Sequence, residues 1–182
     1  MKAIGIDLAG KEPNPSGFAV LLNYEIKTRL VYPDEEILQL CTHERPDIVA
    51  IDAPLSFPRE GNLRSADAQL IHHGYRVLPP TFGGMRALTG RGIQLAKKLR
   101  ARSVRIIEIH PRTSGRILFG TPNREEWLLK LEREGWEVRG GTSDHEVDAA
   151  IATLTGLLYL SKKTEEVGEP EEGKIVIPRD RM

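Results

Sequence analysis

The sequence predicts an α/β fold in which one mixed β-sheet carries helices on both faces. Three observations point to it. Near the N-terminus, three strand-like runs follow one another with only turns between them, the pattern of an antiparallel meander. Beyond them, short apolar runs alternate with helical segments, as in parallel crossover units. One of these runs, Asp47 to Ala53, is apolar on both alternating faces, as befits a strand buried at the centre of a covered sheet.

The elements follow in chain order. In Lys2 to Leu8, Ile4 and Ile6 face one way and Ala3, Gly5 and Asp7 the other, the alternation of a strand. After the polar loop Ala9 to Ser16, Gly17 to Leu22 reads as a second strand, Asn23-Tyr24-Glu25 as a turn and Ile26 to Tyr32 as a third strand. Pro33-Asp34-Glu35-Glu36 opens a helix through about His43, with acids in the first turn to suit its dipole. Pro46 and Pro54 bracket the central strand. Leu55 to Thr81 is the least regular stretch, with a helix-like piece at about Arg64 to His72 that ends before Leu78-Pro79-Pro80. Gly84 to Arg102 resumes helical character, and Ser103 to His110 is an apolar strand closed by Pro111. Arg124 to Arg133 is a modest amphipathic helix, Ser143 to about Ser161 the strongest helix, and Lys174 to Pro178 a short edge-like strand. The expectation is one domain over residues 1–182, with a helical insertion at about 56–102.

Composition narrows the class. Hydrophobic residues make up 40% and charged residues 29%, the balance of a globular protein and not of a disordered chain. No apolar run is long enough to span a bilayer and Asp7 comes too early for a signal peptide, so the expectation is a cytoplasmic protein without a membrane partner. The one cysteine, Cys41, excludes an internal disulfide and the multi-cysteine zinc motifs, leaving oxygen or histidine to hold any metal. Formal net charge is zero, but Arg86, Arg91, Lys97, Lys98, Arg100, Arg102, Arg105, Arg112 and Arg116 face the single acid Glu108 within their span. Such a run serves either a polyanion or the solvation of a helix.

Asp7, Asp52 and Glu108 each fall near the C-terminal end of a predicted strand, where open α/β sheets place their ligands. Asp7 shares its face with Ala3 and Gly5, and Asp52 with Ala50, so both rise from a surface of small side chains that a helix can approach closely. The helix after Ser143 offers a matching stripe of Asp148, Ala149, Ala152 and Gly156, and docking it brings Asp148 toward the other acids. Taken singly, each acid also fits a turn or cap; the joint pattern argues for a site. Ionised carboxylates packed together call for neutralisation, and Mg²⁺ or Mn²⁺ suits an all-oxygen donor set. A pair of such ions about 4 Å apart can activate water and stabilise the leaving oxygen of a phosphodiester. In this scheme Asp7 bridges the ions and Asp52, Glu108 and Asp148 complete their shells, making the four both metal ligands and catalytic residues.

Ser143-Asp144-His145-Glu146 fits a capping box, which gives Glu146 a structural role, and Asp144 suits the helix dipole. His110, two residues after Glu108 on the same strand face, is a candidate to bind metal or substrate or to shuttle a proton, and also fits a hydrogen-bonded residue entering a proline turn. His145 near the Asp148 stripe is a second candidate, whereas His72 and His73 read as structural or exposed. Gly83-Gly84 before a helix could offer backbone amides to phosphate.

Gly5-Ile6-Asp7-Leu8-Ala9-Gly10, Ser16-Gly17-Phe18-Ala19, Ile51-Asp52-Ala53-Pro54-Leu55, the Leu78-Pro79-Pro80 to Thr89 loop, Ile107-Glu108-Ile109-His110-Pro111-Arg112 and Asp144 to Ala149 occur in this order. Together they resemble the prokaryotic domain-of-unknown-function family 429, described as predicted ribonuclease H-like nucleases. The resemblance spans nearly the whole chain and implies a ribonuclease H-like fold. It matches Asp7 to the first-strand aspartate of such enzymes, Asp52 to the acid of the next strand added to the sheet, and Asp148 to the acid of the last helix. The stretch Ser56 to Arg102 is a departure from ribonuclease H itself; within it Arg59, Arg64, Arg86 and Arg91, with Arg112 beyond it, are candidate phosphate contacts, and Thr81 to Gly84 a candidate lid.

The functional expectation is a hydrolase, a metal-dependent nuclease acting on DNA or RNA, and the sequence leaves a homodimer open. Two alternatives stand beside it. One is a nucleic-acid- or ligand-binding protein that keeps the fold without the chemistry. The other is a phosphotransferase of the sugar-kinase and actin type, against which length argues, because those proteins close two such halves around a nucleotide.

Overall fold

The computed structural model describes residues 1–179. Strands β1 (Ala3–Asp7), β2 (Ser16–Leu22) and β3 (Glu25–Val31) form the expected antiparallel meander. Asn23 and Tyr24, with φ of 51° and 64°, make the left-handed pair that a two-residue hairpin uses to match strand twist. Helix α1 (Asp34–Glu44) then crosses over to β4 (Ile48–Asp52), which lies parallel to β1. Helices α2 (Ser65–His72) and α3 (Gly84–Arg100) intervene before β5 (Ile106–Ile109), which adds in parallel to β4. Next come α4 (Pro111–Phe119), α5 (Arg124–Arg133), β6 (Glu137–Arg139), α6 (Asp144–Leu160), β7 (Thr164–Val167) and β8 (Ile175–Pro178). The sheet order is β6-β3-β2-β1-β4-β5-β8-β7.

Two expectations need correction. The strand at the C-terminal end is not at the edge: β8 pairs with β5 on one side and β7 on the other, and β7 takes the edge. Pro111 does not merely stop β5; it occupies the first turn of α4, where its missing N–H costs nothing and its fixed φ suits the helix.

The alternation of the central strands assigns each face its helices. Ile4, Ile6, Val49 and Ile51 pack against Ile37, Leu38 and Cys41 of α1 and Leu95 and Leu99 of α3. On the other face Ala3 and Ala50 meet Ala152 of α6, a helix buried from Glu146 through Gly156. The approach is close enough that a Cβ on Gly5 would lie 2.1 Å from the Ala149 carbonyl oxygen and 2.5 Å from the Thr153 nitrogen. Backbone atoms cannot swing aside as a side chain can. Gly5→Ala is therefore expected to destabilise the protein by about 3 kcal/mol, read as a lower urea midpoint with unchanged slope; an unchanged midpoint would show that α6 has room to move.

Candidate metal centre

The strand register builds the site. β1 and β4 pair with Asp7 opposite Asp52, so the two carboxylates leave the sheet side by side on the face covered by α6. Asp148 comes to them from the second turn of α6. That helix is fixed at its start by a capping box, in which the Glu146 N–H donates to Ser143 Oγ and the Ser143 N–H donates to Glu146 Oε2. Its first turn also rests on Gly17, where a Cβ would fall 1.8 Å from the His145 carbonyl oxygen. As a result one carboxylate oxygen each from Asp7, Asp52 and Asp148 lies within 4.8 Å of the others.

Such crowding shows in the titration of these groups. Burial, then the charges of Asp7, Asp148 and Glu108, hold the Asp52 carboxyl well above the usual carboxylate range. Burial likewise raises Asp7, opposed by its hydrogen bond with His145, whose Nδ1 lies 2.6 Å from Asp7 Oδ2. Asp148 forms a two-pronged ion pair with Arg124, Nε to Oδ1 at 2.8 Å and Nη2 to Oδ2 at 2.5 Å. Three hard oxygen donors that repel one another are chemically suited to a divalent cation such as Mg²⁺ or Mn²⁺.

Glu108 does not join this group. β5 pairs with β4 so that Glu108 is opposite Ile51, one residue out of phase with Asp52, and Ile109 takes the face that Asp52 shares. Glu108 therefore projects toward the opposite side of the sheet. There Arg64 donates to both its oxygens, at 2.9 and 2.6 Å, and the Leu55 N–H donates to Oε2 at 2.8 Å. His110 is also outside the three-aspartate group: its Nδ1 is 2.7 Å from Thr113 Oγ1, and burial lowers its pKa to about 4, leaving it neutral at physiological pH.

The arginines that the sequence proposes for substrate divide in two. Arg64 is buried among Glu108, Asp67 and Ser56, and Arg91 is buried and donates to Asp34 Oδ1 and to the carbonyls of Ala9 and Tyr32. Neither is presented to a ligand; both tie the segments after β4 and β1 in place. Arg59, Arg86 and Arg112 are exposed. The Thr81–Gly84 segment is pinned, with Thr81 Oγ1 donating to Asn62 Oδ1 and the Met85 N–H to the Phe82 carbonyl, yet Phe82 itself is 70% exposed. Nearby, a Cβ on Gly10 in the loop after Asp7 would be 3.5 Å from the Gly84 carbonyl, so this segment borders the site.

Sequence reasoning misses Arg124 as part of the site. A signal is present: an arginine in the first turn of a helix opposes the dipole and needs local acids to balance it. Those acids are Asp148 and Asp144 of α6, the latter 3.3 Å from Arg124 Nη1.

A family model described as "Protein of unknown function (DUF429)" matches residues 5–172. Among solved structures, T. thermophilus RuvC in complex with a Holliday junction substrate aligns over 89% of this chain and 96% of its own at 16% identity, with a TM-score of 0.57. A second Thermus thermophilus RuvC structure aligns over the same shares at 17% identity, with a TM-score of 0.49. No curated protein matches the chain significantly. The fold is thus ribonuclease H-like, and no helix among the described residues is long and apolar enough to cross a membrane.

Proposed function

We propose that this chain, which belongs to the DUF429 family, is a divalent-metal-dependent nuclease that cleaves phosphodiester bonds at Asp7, Asp52 and Asp148. The observation that carries the reading is the convergence of those three carboxylates from two strands and a helix on one point of a ribonuclease H-like sheet. The RuvC structure that shares the fold holds a Holliday junction, which supports DNA as the first substrate to try.

Asp7, Asp52 and Asp148 would hold Mg²⁺ or Mn²⁺, which when bound supplies activation of water and stabilisation of the leaving oxygen. Asp7, placed between Asp52 and His145, would lie at the centre of that ligand set. His145, with 47% of its side chain exposed and its Nδ1 hydrogen-bonded to Asp7 Oδ2, can exchange a proton between that carboxylate and solvent. Exposed Arg86, in the first turn of α3 against the loop after β1, and exposed Arg59, on the segment after β4, are the arginines proposed to meet backbone phosphates. Phe82, held out of the core by its pinned loop, offers a face for an unpaired base. Glu108, Arg64 and Arg91 have no part in this scheme beyond shaping its walls.

Calorimetry with Mn²⁺ and Mg²⁺ on the wild type and Asp7→Asn, each followed by cleavage assays on duplex, single-stranded and four-way-junction DNA and on RNA, tests the proposal. Metal binding and metal-dependent cleavage in the wild type, both lost in the variant, are expected. No heat and no cleavage from the wild type would replace the nuclease with a binding protein of the same fold.

A further inference from the structure

The guanidinium of Arg124 sits where a cation for the carboxylate group would act. It engages both oxygens of Asp148, and its charge also reaches Asp7. The pair is largely shielded, with 17% of the arginine side chain and 8% of the aspartate side chain exposed, so its attraction is less screened than that of a surface pair. Arg124 is borne by α5, outside the sheet and α6, and its position in the first turn works against that helix's dipole. Within α5 the Trp127 ring lies under its guanidinium, and the ion pairs that balance its charge come from Asp148 and Asp144 of α6.

A divalent cation seated on an oxygen of Asp148 and on those of Asp7 and Asp52 would lie beside this guanidinium. The two cations repel, and both draw on the same carboxylate. A guanidinium held by both oxygens must lengthen or release one of them for that oxygen to bond the metal instead.

We propose that Arg124 is an exchangeable counter-ion: it holds Asp148 when no divalent cation is bound, and it yields that carboxylate when one arrives. This rests on the metal-site reading above and adds to it a control of affinity. In the metal-free protein Arg124 offsets the repulsion among the aspartates and keeps Asp148 turned into the site. It thereby sets the concentration at which metal enters. Its long side chain can leave toward solvent without moving the sheet or α6.

Trp127 gives a direct reporter, because its buried ring lies 5.9 Å from the guanidinium carbon of Arg124. In a Trp136→Phe background, which leaves Trp127 as the only tryptophan, Mn²⁺ alone should change the emission of the wild-type arginine form. In Arg124→Gln the same addition should leave emission nearly constant. Calorimetry should show Mn²⁺ binding at least about tenfold tighter in Arg124→Gln than in the wild type, as expected when one nearby like charge is removed. Arg124→Lys, which keeps the charge but loses the fork, should fall between and supplies the comparison if the glutamine variant folds poorly. The metal-free melting temperature of Arg124→Gln should drop, and its rise on adding Mn²⁺ should exceed that of the wild type.

Equal or weaker Mn²⁺ binding by Arg124→Gln, beside clear binding by the wild type, would overturn this inference alone and make Arg124 a fixed support for Asp148. Failure of every form to bind Mn²⁺ would overturn both this inference and the metal-site reading.

Discussion

Asp52→Asn is expected to make the metal-free protein more stable while abolishing its activity. The Asp52 carboxyl is held well above its ordinary range by burial and by Asp7 and Asp148. Between the unfolded value, near 3.8, and the raised folded value, the native state binds more protons than the unfolded chain. Its contribution is therefore fully present at low pH and is lost as pH rises through the folded value. At neutral pH, keeping Asp52 in this site is therefore a cost of folding, which asparagine removes. A gain of about 1 kcal/mol is the size such relief of a strained site commonly gives. It should vanish in denaturation curves taken near pH 3, where wild-type Asp52 is protonated in both states. Cleavage should fall more than the roughly 10–100-fold that follows loss of an outer partner of a metal ligand. Asp7→Asn should show the same loss of activity with a smaller gain in stability, because the His145 hydrogen bond already offsets part of the cost at Asp7. An Asp52→Asn protein that is less stable at neutral pH, or that keeps full Mn²⁺ affinity, would remove Asp52 from the site.

Much of this centre is legible in the amino-acid sequence. The alternation in β1 and β4 puts Asp7 and Asp52 on faces lined by alanine and glycine, and the stripe on α6 answers with Ala149, Ala152 and Gly156. Small residues on both partners reveal a close approach, and the close approach brings Asp148 with it. What stays hidden is set by distant pairing. Whether Glu108 faces α6 depends on the register of β5 against β4, and a shift of one residue reverses the answer. β6 and β7 have three and four residues, with charged side chains, and their strand character comes from the neighbours β3 and β8. Arg64 and Arg91 read as candidate phosphate contacts because sequence shows charge but not the carboxylates and carbonyls that satisfy it inside. The arginine that does reach the site, Arg124, is recruited from α5 by an acid 24 residues further along the chain.

Arg64→Met should be the most destabilising change at a charged position, and its partner variant decides what Glu108 does. Arg64 has 1% of its side chain exposed and donates to Glu108 at 2.9 and 2.6 Å, to Asp67 at 3.0 and 2.9 Å, and to Ser56 at 3.1 Å. Removing it strands two buried carboxylates, a loss of about 3–5 kcal/mol when one member of a buried pair is deleted. Burial already pushes the Glu108 carboxyl above its usual range, and Arg64 opposes that push. Without the guanidinium, Glu108 should take up a proton at higher pH, so the defect of Arg64→Met should shrink as pH falls from neutral toward 5. Glu108→Gln tests the other side of the network. It keeps the shape of the side chain and an oxygen for the Leu55 N–H, so it should cost less than Arg64→Met, and Mn²⁺ affinity should stay within about twofold of wild type, as for a group outside the metal's shell. If Glu108→Gln instead abolished Mn²⁺ binding while the fold survived, Glu108 would have to reach the metal around the C-terminal end of β5, and the register would no longer decide its role. Retained binding would leave the Arg64–Glu108 pair as the clamp that fixes the loop after Asp52, with its chemistry confined to holding that wall of the site in place.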